Sequence, residues 1–210
     1  MKKDQIHEAF VRFKAANPAP KSDLEYTNAF TLLVAVVLSA QATDAGVNKA
    51  TKNLFAIADT PEKMVKLGIT KIKNHIKTIG LYNAKAENVL ALSKILIENF
   101  NSEIPRTREA LISLPGVGRK TANVVLNIVY GEPTMAVDTH VFRLGNRLKF
   151  ASGRTPEEVE AKLVKKIPAE FMQHAHHWLI LHGRYTCKAR NPLCETCIIN
   201  DLCPNRGKFS

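Results

Sequence analysis

Nowhere along the chain do apolar and polar residues alternate over the length of a convincing strand; apolar positions recur at helical spacing almost from end to end. Helix-start signals accompany that spacing. Thr60 precedes Pro61, which fits a first helical position. Thr155-Pro156-Glu157-Glu158 reads as a capping box, with Thr155 at the N-cap and Glu158 three residues on. Gly80 and Gly131 fit helix ends. Residues 2–16 read as an amphipathic helix stopped by Asn17-Pro18-Ala19-Pro20. The run from Phe30 to Ala40 is apolar on every side, which predicts a buried helix, and it is too short to span a bilayer. Helices are expected at 2–16, 28–40, 43–57, 61–67, 70–79, 83–99, 107–114, 119–130, 138–149, 156–167 and 169–185. The expected fold class is all-α with short loops.

Charge narrows the partners. Thirty Lys and Arg face nineteen Asp and Glu, a net charge of +11. A polyanion is the partner such an excess suggests. The basic residues are spread rather than gathered on one amphipathic helix: residues 49–88 hold eight Lys against Asp59, Glu62 and Glu87. Residues 184–210 hold five Lys and Arg against Glu195 and Asp201. That spread favours nucleic acid over a membrane surface, and no membrane partner is expected. The N-terminus, MKKDQIHEAF, carries Asp4 and Glu8 and no apolar core of a secretory signal. The last residues, 204–210, read as a loose basic tail.

All four cysteines fall late, as Cys187, Cys194, Cys197 and Cys203, in the spacing C-x6-C-x2-C-x5-C. A disulfide framework would spread its cysteines through a small secreted domain, whereas four clustered thiols point to one metal centre in a reducing compartment. Zinc would take them tetrahedrally, and a [4Fe–4S] cluster would take them as well; spacing barely separates the two. His174, His176 and His177 have no acidic motif after them and are expected to be surface and packing residues.

The most informative segment ahead of the cysteines is Leu114-Pro115-Gly116-Val117-Gly118-Arg119-Lys120-Thr121-Ala122. Pro115 ends a helix, Gly116 and Gly118 allow a tight turn, and Arg119 begins the next helix. Such a turn sets backbone N–H groups beside a helix N-terminus, where a phosphate is attracted, and the glycines let a DNA backbone come close. A phosphate contact of that kind positions a protein without reading sequence. The stretch from Gly80 to Leu90, GLYNAKAENVL, faintly echoes that from Gly116 to Leu126, GVGRKTANVVL, so two similar hairpins are expected.

The segment LPGVGRKTANVVL resembles the helix-hairpin-helix of the endonuclease III family of DNA glycosylases. Leu38-Ser39-Ala40-Gln41-Ala42-Thr43-Asp44, Lys77 to Tyr82, Ala136-Val137-Asp138-Thr139-His140 and His177 to Arg184 also look like that family, in the same order, so the similarity covers roughly residues 20–203. The resemblance implies that Lys120 is the nucleophile. An amine attacks carbon only when neutral, and the first turn of a helix, next to Arg119, favours that form; partial burial would push the same way. It implies that Asp138 is the carboxylate partner, although an aspartate ahead of a helix is also an ordinary N-cap. Gln41 and Leu81 would prop and wedge the duplex once a nucleotide is extruded. Gly116, Gly118 and Arg119 would meet the DNA backbone. Cys187, Cys194, Cys197 and Cys203 would hold a [4Fe–4S] cluster, fixing a loop that carries Lys188, Arg190, Arg206 and Lys208. His140 adjoins Asp138 and is not expected to be catalytic.

The resemblance also implies two helical lobes with a cleft between them. Residues 22–132 would form a bundle containing the hairpin at about 107–130; residues 1–21 with 133–210 would form the cluster domain. The implied activity is removal of oxidised pyrimidines such as thymine glycol from double-stranded DNA, followed by β-elimination at the abasic site. The expected enzyme is a monomer in a bacterial cytoplasm, associated with the nucleoid. Two rivals are a glycosylase without lyase activity, which Lys120 weighs against, and a non-enzymatic iron–sulfur module that only binds DNA.

Overall fold

A computed structural model describes residues 1–208; Phe209 and Ser210, the end of the expected tail, lie outside the described residues. Every regular element among the described residues is helical. The chain divides into two compact units, Ser22–Tyr130 and Met1–Lys21 joined with the chain from Gly131 onward. The first helix, α1 (Lys3–Ala16), therefore belongs with the C-terminal half.

The unit Ser22–Tyr130 holds α2 (Ala29–Leu38), α3 (Asp44–Ile57), α4 (Pro61–Leu67), α5 (Ile69–Ile76), α6 (Tyr82–Phe100), α7 (Arg108–Ile112) and α8 (Arg119–Tyr130). Its centre is α2, whose residues Phe30 to Leu38 are all buried, with α3, α6 and α8 packed around it. The Asn28 side chain accepts from the Thr31 N–H at 2.9 Å, and the Thr31 hydroxyl accepts from the Asn28 N–H at 3.0 Å, so the apolar helix starts on a reciprocal cap. Thr60 caps α4 and Pro61 fills its first position. The helix expected at 107–114 is shorter at both ends, because Thr107 is its cap and Ser113 already begins the turn. Gly131, at φ +68°, follows α8 in the left-handed conformation that ends helices. Gly80 does not end one: α5 stops at Ile76, and the left-handed residue in that turn is Leu81, at φ +59°.

The other unit holds α1, α9 (Thr139–Arg147), α10 (Pro156–Lys166) and α11 (Ala169–Leu181). Phe10 is its hub, stacked on Phe171 at 5.9 Å and lying 5.8 Å from Phe150 and 6.2 Å from Trp178. The Trp178 indole N–H donates to the Asn17 carbonyl at 2.7 Å, which satisfies both the buried ring and the end of α1. The capping box at Thr155 is only half present. Thr155 accepts from the Glu158 N–H, but the Glu158 carboxylate reaches past the cap to the Arg154 N–H at 3.0 Å. The helix expected at 169–185 stops at Leu181; residues His182–Thr186 widen into a π-helical turn. A Cβ on Gly183 would stand 2.9 Å from the Cβ of His140, so only glycine lets that turn lie against α9.

Candidate functional site

Three buried residues, Leu111, Leu114 and Val117, anchor the hairpin turn from below, while Gly116, Gly118, Arg119 and Lys120 are exposed. Gly116 has φ +78°, and a Cβ there would come within about 3.1 Å of Asn88 and Val37. Gly118 is different: it needs no left-handed angle, and nothing lies within 4 Å of where its Cβ would be. Its openness leaves room for another backbone to approach. The Ala122 N–H donates to the Gly118 carbonyl at 2.9 Å, so α8 starts there, where a helix N-terminus favours a phosphate. Arg108 ties α7 to α8 through the buried Asn123, at 2.9 Å. Lys120 is exposed on the first turn of α8.

Asp138 follows a buried run, Met135-Ala136-Val137, and caps α9. One carboxylate oxygen accepts from the Val141 N–H at 2.8 Å. The cap uses one of two oxygens and holds the carboxylate rigidly, half exposed. Gln41 is exposed just past α2, at φ +54°. Leu81 is 64 % exposed at the start of α6, a large apolar side chain held outward by a left-handed backbone. Residues other than glycine adopt that conformation at a cost, and it clusters at functional sites.

The four thiols lie in one loop. Burial pushes the Cys197 thiol up, and charge on Cys187, Cys203 and Cys194 pushes it the same way, so all four feel one another. No group of three or more His, Cys, Asp and Glu among the described residues stands ready around a single metal ion. A [4Fe–4S] cluster asks for a different arrangement, since each thiolate holds its own iron, and four soft thiolates from one loop fit its donor chemistry. The Arg147 guanidinium reaches the Cys187 sulfur at 3.5 Å, and His182 Nε2 lies 3.7 Å from the Cys197 sulfur. Burial holds the His182 imidazole down to about 4, so it is neutral beside the thiols.

Sequence reasoning does not find the residues that pin this loop. Arg12 of α1 donates to the Ile198 carbonyl at 2.9 Å and to both oxygens of Asp201 at 2.5 and 3.0 Å. Arg143 donates to the carbonyls of Gly183 and Cys187 at 2.6 and 3.1 Å. Arg147 donates to the carbonyls of Lys188 and Ala189 at 2.6 and 3.1 Å, and Asn205 returns a bond to the Arg147 carbonyl at 2.6 Å. These partners lie 40 to 189 residues apart in the chain, and no local pattern announces them. The histidines near Trp178 serve packing: His174 meets the indole edge-on at 5.6 Å and His176 is buried.

Comparison with known proteins agrees with this geometry. Residues 34–169 match the family model described as HhH-GPD superfamily base excision DNA repair protein, and residues 187–203 match the iron-sulfur binding domain of endonuclease III. The chain is 56 % identical over 208 residues to endonuclease III of Escherichia coli (strain K12), covering 99 % of each chain. It is 59 % identical over 198 residues to endonuclease III of Rickettsia conorii, covering 94 % of each. A solved structure of a trapped endonuclease III–DNA covalent intermediate superposes with a TM-score of 0.91 at 44 % identity, covering 99 % of this chain and 98 % of that one. With a family model spanning most of the helical fold and relatives this similar over their full length, the chain belongs to the endonuclease III family within the HhH-GPD superfamily of base excision DNA repair proteins.

Proposed function

We infer that this protein is a bifunctional DNA glycosylase and abasic-site lyase of base-excision repair, acting on oxidised pyrimidines such as thymine glycol. It binds DNA carrying a damaged base and carries a [4Fe–4S] cluster. The observation that carries this function is the exposed amine of Lys120, presented on the first turn of α8 directly after an open glycine turn. Lys120 is the proposed nucleophile. Its nitrogen bonds to C1′ of the extruded nucleotide as the C1′–N bond to the base breaks, and the base departs with a proton. Opening of the sugar ring leaves a Schiff base between Lys120 and C1′. Loss of a C2′ proton then breaks the C3′–O bond and releases the strand on the 3′ side of the lesion, which carries the phosphate away on its 5′ end. Water hydrolyses the imine and restores the amine.

Asp138 is the proposed carboxylate. Ionised and held by its cap, it stabilises positive charge developing at C1′ and moves protons to and from the amine and water. Gln41 and Leu81 are the proposed residues that fill the gap left by the extruded nucleotide; both stand on left-handed turns with exposed side chains. Gly116, Gly118 and Arg119 would hold a backbone phosphate at the start of α8. Cys187, Cys194, Cys197 and Cys203 would hold the cluster, which supplies a rigid frame for the basic loop around them. In this scheme residues 22–132 carry the hairpin and the wedges, and residues 1–21 with 133–210 carry the carboxylate and the cluster. The proposed setting is a monomer working on the nucleoid of a bacterial cytoplasm.

Borohydride reduces a Schiff base to a stable amine. A duplex with one thymine glycol, incubated with the protein and borohydride, is expected to give a covalent adduct that Lys120→Ala abolishes. Excision without an adduct would assign a glycosylase lacking lyase chemistry, and binding without excision would assign a DNA-binding module or another lesion.

A further inference from the structure

One histidine touches two of the four cysteines. The His182 carbonyl accepts from the Cys187 N–H at 2.7 Å, a bond across five residues that closes the π-helical turn. The His182 imidazole, through Nε2, lies 3.7 Å from the Cys197 sulfur, within reach of a hydrogen bond to so large an acceptor atom. His182 is buried, and the Phe13 ring of α1 lies against its own at 5.1 Å. The next residue, Gly183, packs on His140 of α9. Contacts from α1 and α9 thus fix the turn, and the turn aims the imidazole at the sulfur.

The chemistry of the ligand gives this contact a direction. A cysteine that holds iron is a thiolate, with no proton to give. The bond can run only from imidazole to sulfur, so Nε2 carries the proton and Nδ1 the lone pair. The Ile199 N–H also hydrogen-bonds the Cys197 sulfur, so this one thiolate receives a backbone donor and a side-chain donor. Hydrogen bonds to sulfur draw negative charge off the thiolate, and they are among the means by which a protein sets the potential of an iron–sulfur cluster. They favour the electron-rich state, because that state places more negative charge on sulfur. Burial strengthens the effect, since little water competes for the donor.

We propose that His182 is a positioning residue for the cluster, donating its Nε2–H to the Cys197 thiolate and so raising the cost of taking one electron from the [4Fe–4S]²⁺ state. This inference rests on the four-cysteine cluster proposed above and deepens it. The service is protective. Cys194, Cys197 and Cys203 are only half-buried, so a small one-electron oxidant can approach the centre, and a cluster that yields its electron less readily keeps its iron.

The test uses the iron-loaded full chain. The parent is compared with His182→Leu, which removes the donor at similar volume, and with His182→Gln, whose amide keeps an N–H. Voltammetry reads the potential at which the cluster gives up one electron. His182→Leu is expected to favour the oxidised state about tenfold more, a fall of about 59 mV, while His182→Gln stays near the parent. Ferricyanide then takes one electron from each cluster and becomes ferrocyanide. The visible absorbance of the cluster should bleach faster in His182→Leu than in the other two. If His182→Leu takes up no iron, His182→Met, equally without a donor and more pliant in shape, replaces it. Should both stay empty while His182→Gln loads, the donor is needed to hold the cluster at all, which supports the role. Failure of all three to load makes His182 a packing residue and overturns it. A parental potential in His182→Leu also overturns it, as does a potential in His182→Gln as low as that of His182→Leu. A parent chain without iron overturns the cluster itself, and the role of His182 with it.

Discussion

A carboxylate that caps a helix can be exchanged for an amide with little harm to the helix, because Asn and Asp are equally good N-caps. Asp138 gives its structural service through a single oxygen, accepting from the Val141 N–H at 2.8 Å, and the oxygen of a side-chain amide at that position can accept the same bond. Its proposed chemical service depends on negative charge, which the amide lacks. Asp138→Asn is therefore expected to change stability by less than about 0.5 kcal/mol and to lower turnover of a thymine glycol duplex by about 10²–10⁴-fold. Thermal melting and single-turnover kinetics read the two effects separately. A large fall in melting temperature with proportionate loss of activity would make Asp138 a cap and nothing more.

At the scale of elements, the two hairpin glycines look alike in sequence and differ in the fold. Gly116 combines φ +78° with close approach to Asn88 and Val37. Gly116→Ala should destabilise the protein by about 1–3 kcal/mol, through the left-handed backbone and the displaced neighbours. Gly118→Ala meets nothing in the folded protein, so its melting temperature should stay near the parent's while affinity for an abasic-analogue duplex falls. Equal melting losses in both variants would show that the turn, and not the space above it, needs glycine at 118. Most helices are legible from the chain because caps and apolar spacing are local: Thr60-Pro61, Asn28 before an all-buried run, Thr107 and Asp138 all sit where their residue types suggest. What is not legible depends on distant partners. In the π-turn at His182–Thr186 that follows α11, Gly183 packs on His140, and no periodicity encodes that contact. The exposure of Lys120 is likewise hidden from the sequence, since burial depends on what the rest of the chain leaves uncovered.

At the scale of the whole molecule, the question is what the cluster supports. The core that unites α1 with α9, α10 and α11 is built from Ile6, Phe10, Phe13, Phe150, Phe171, Trp178 and their neighbours; among the described residues from 187 onward, only Cys187 and Ile199 are deeply buried in it. The loop is tied to that core by arginines: Arg12 to Ile198 and Asp201, Arg143 to Cys187, and Arg147 to Lys188 and Ala189. Those bonds fix the loop's two ends, and they rely on carbonyls and a carboxylate rather than on sulfur alone. Between the ends, from Arg190 to Cys197, the chain is mostly half-exposed or exposed, with little apolar burial to order it. Removal of iron should therefore leave the helices in place and loosen the segment from Cys187 to Cys203. Far-ultraviolet circular dichroism is expected to change little, while trypsin gains access at Lys188 and Arg190. Affinity for duplex DNA should fall most at low salt, where the displaced basic residues contribute most to binding. If iron removal instead collapses the helical signal, the cluster is part of the folding core, and the aromatic hub around Phe10 is too weak to hold α1 against α11 without it.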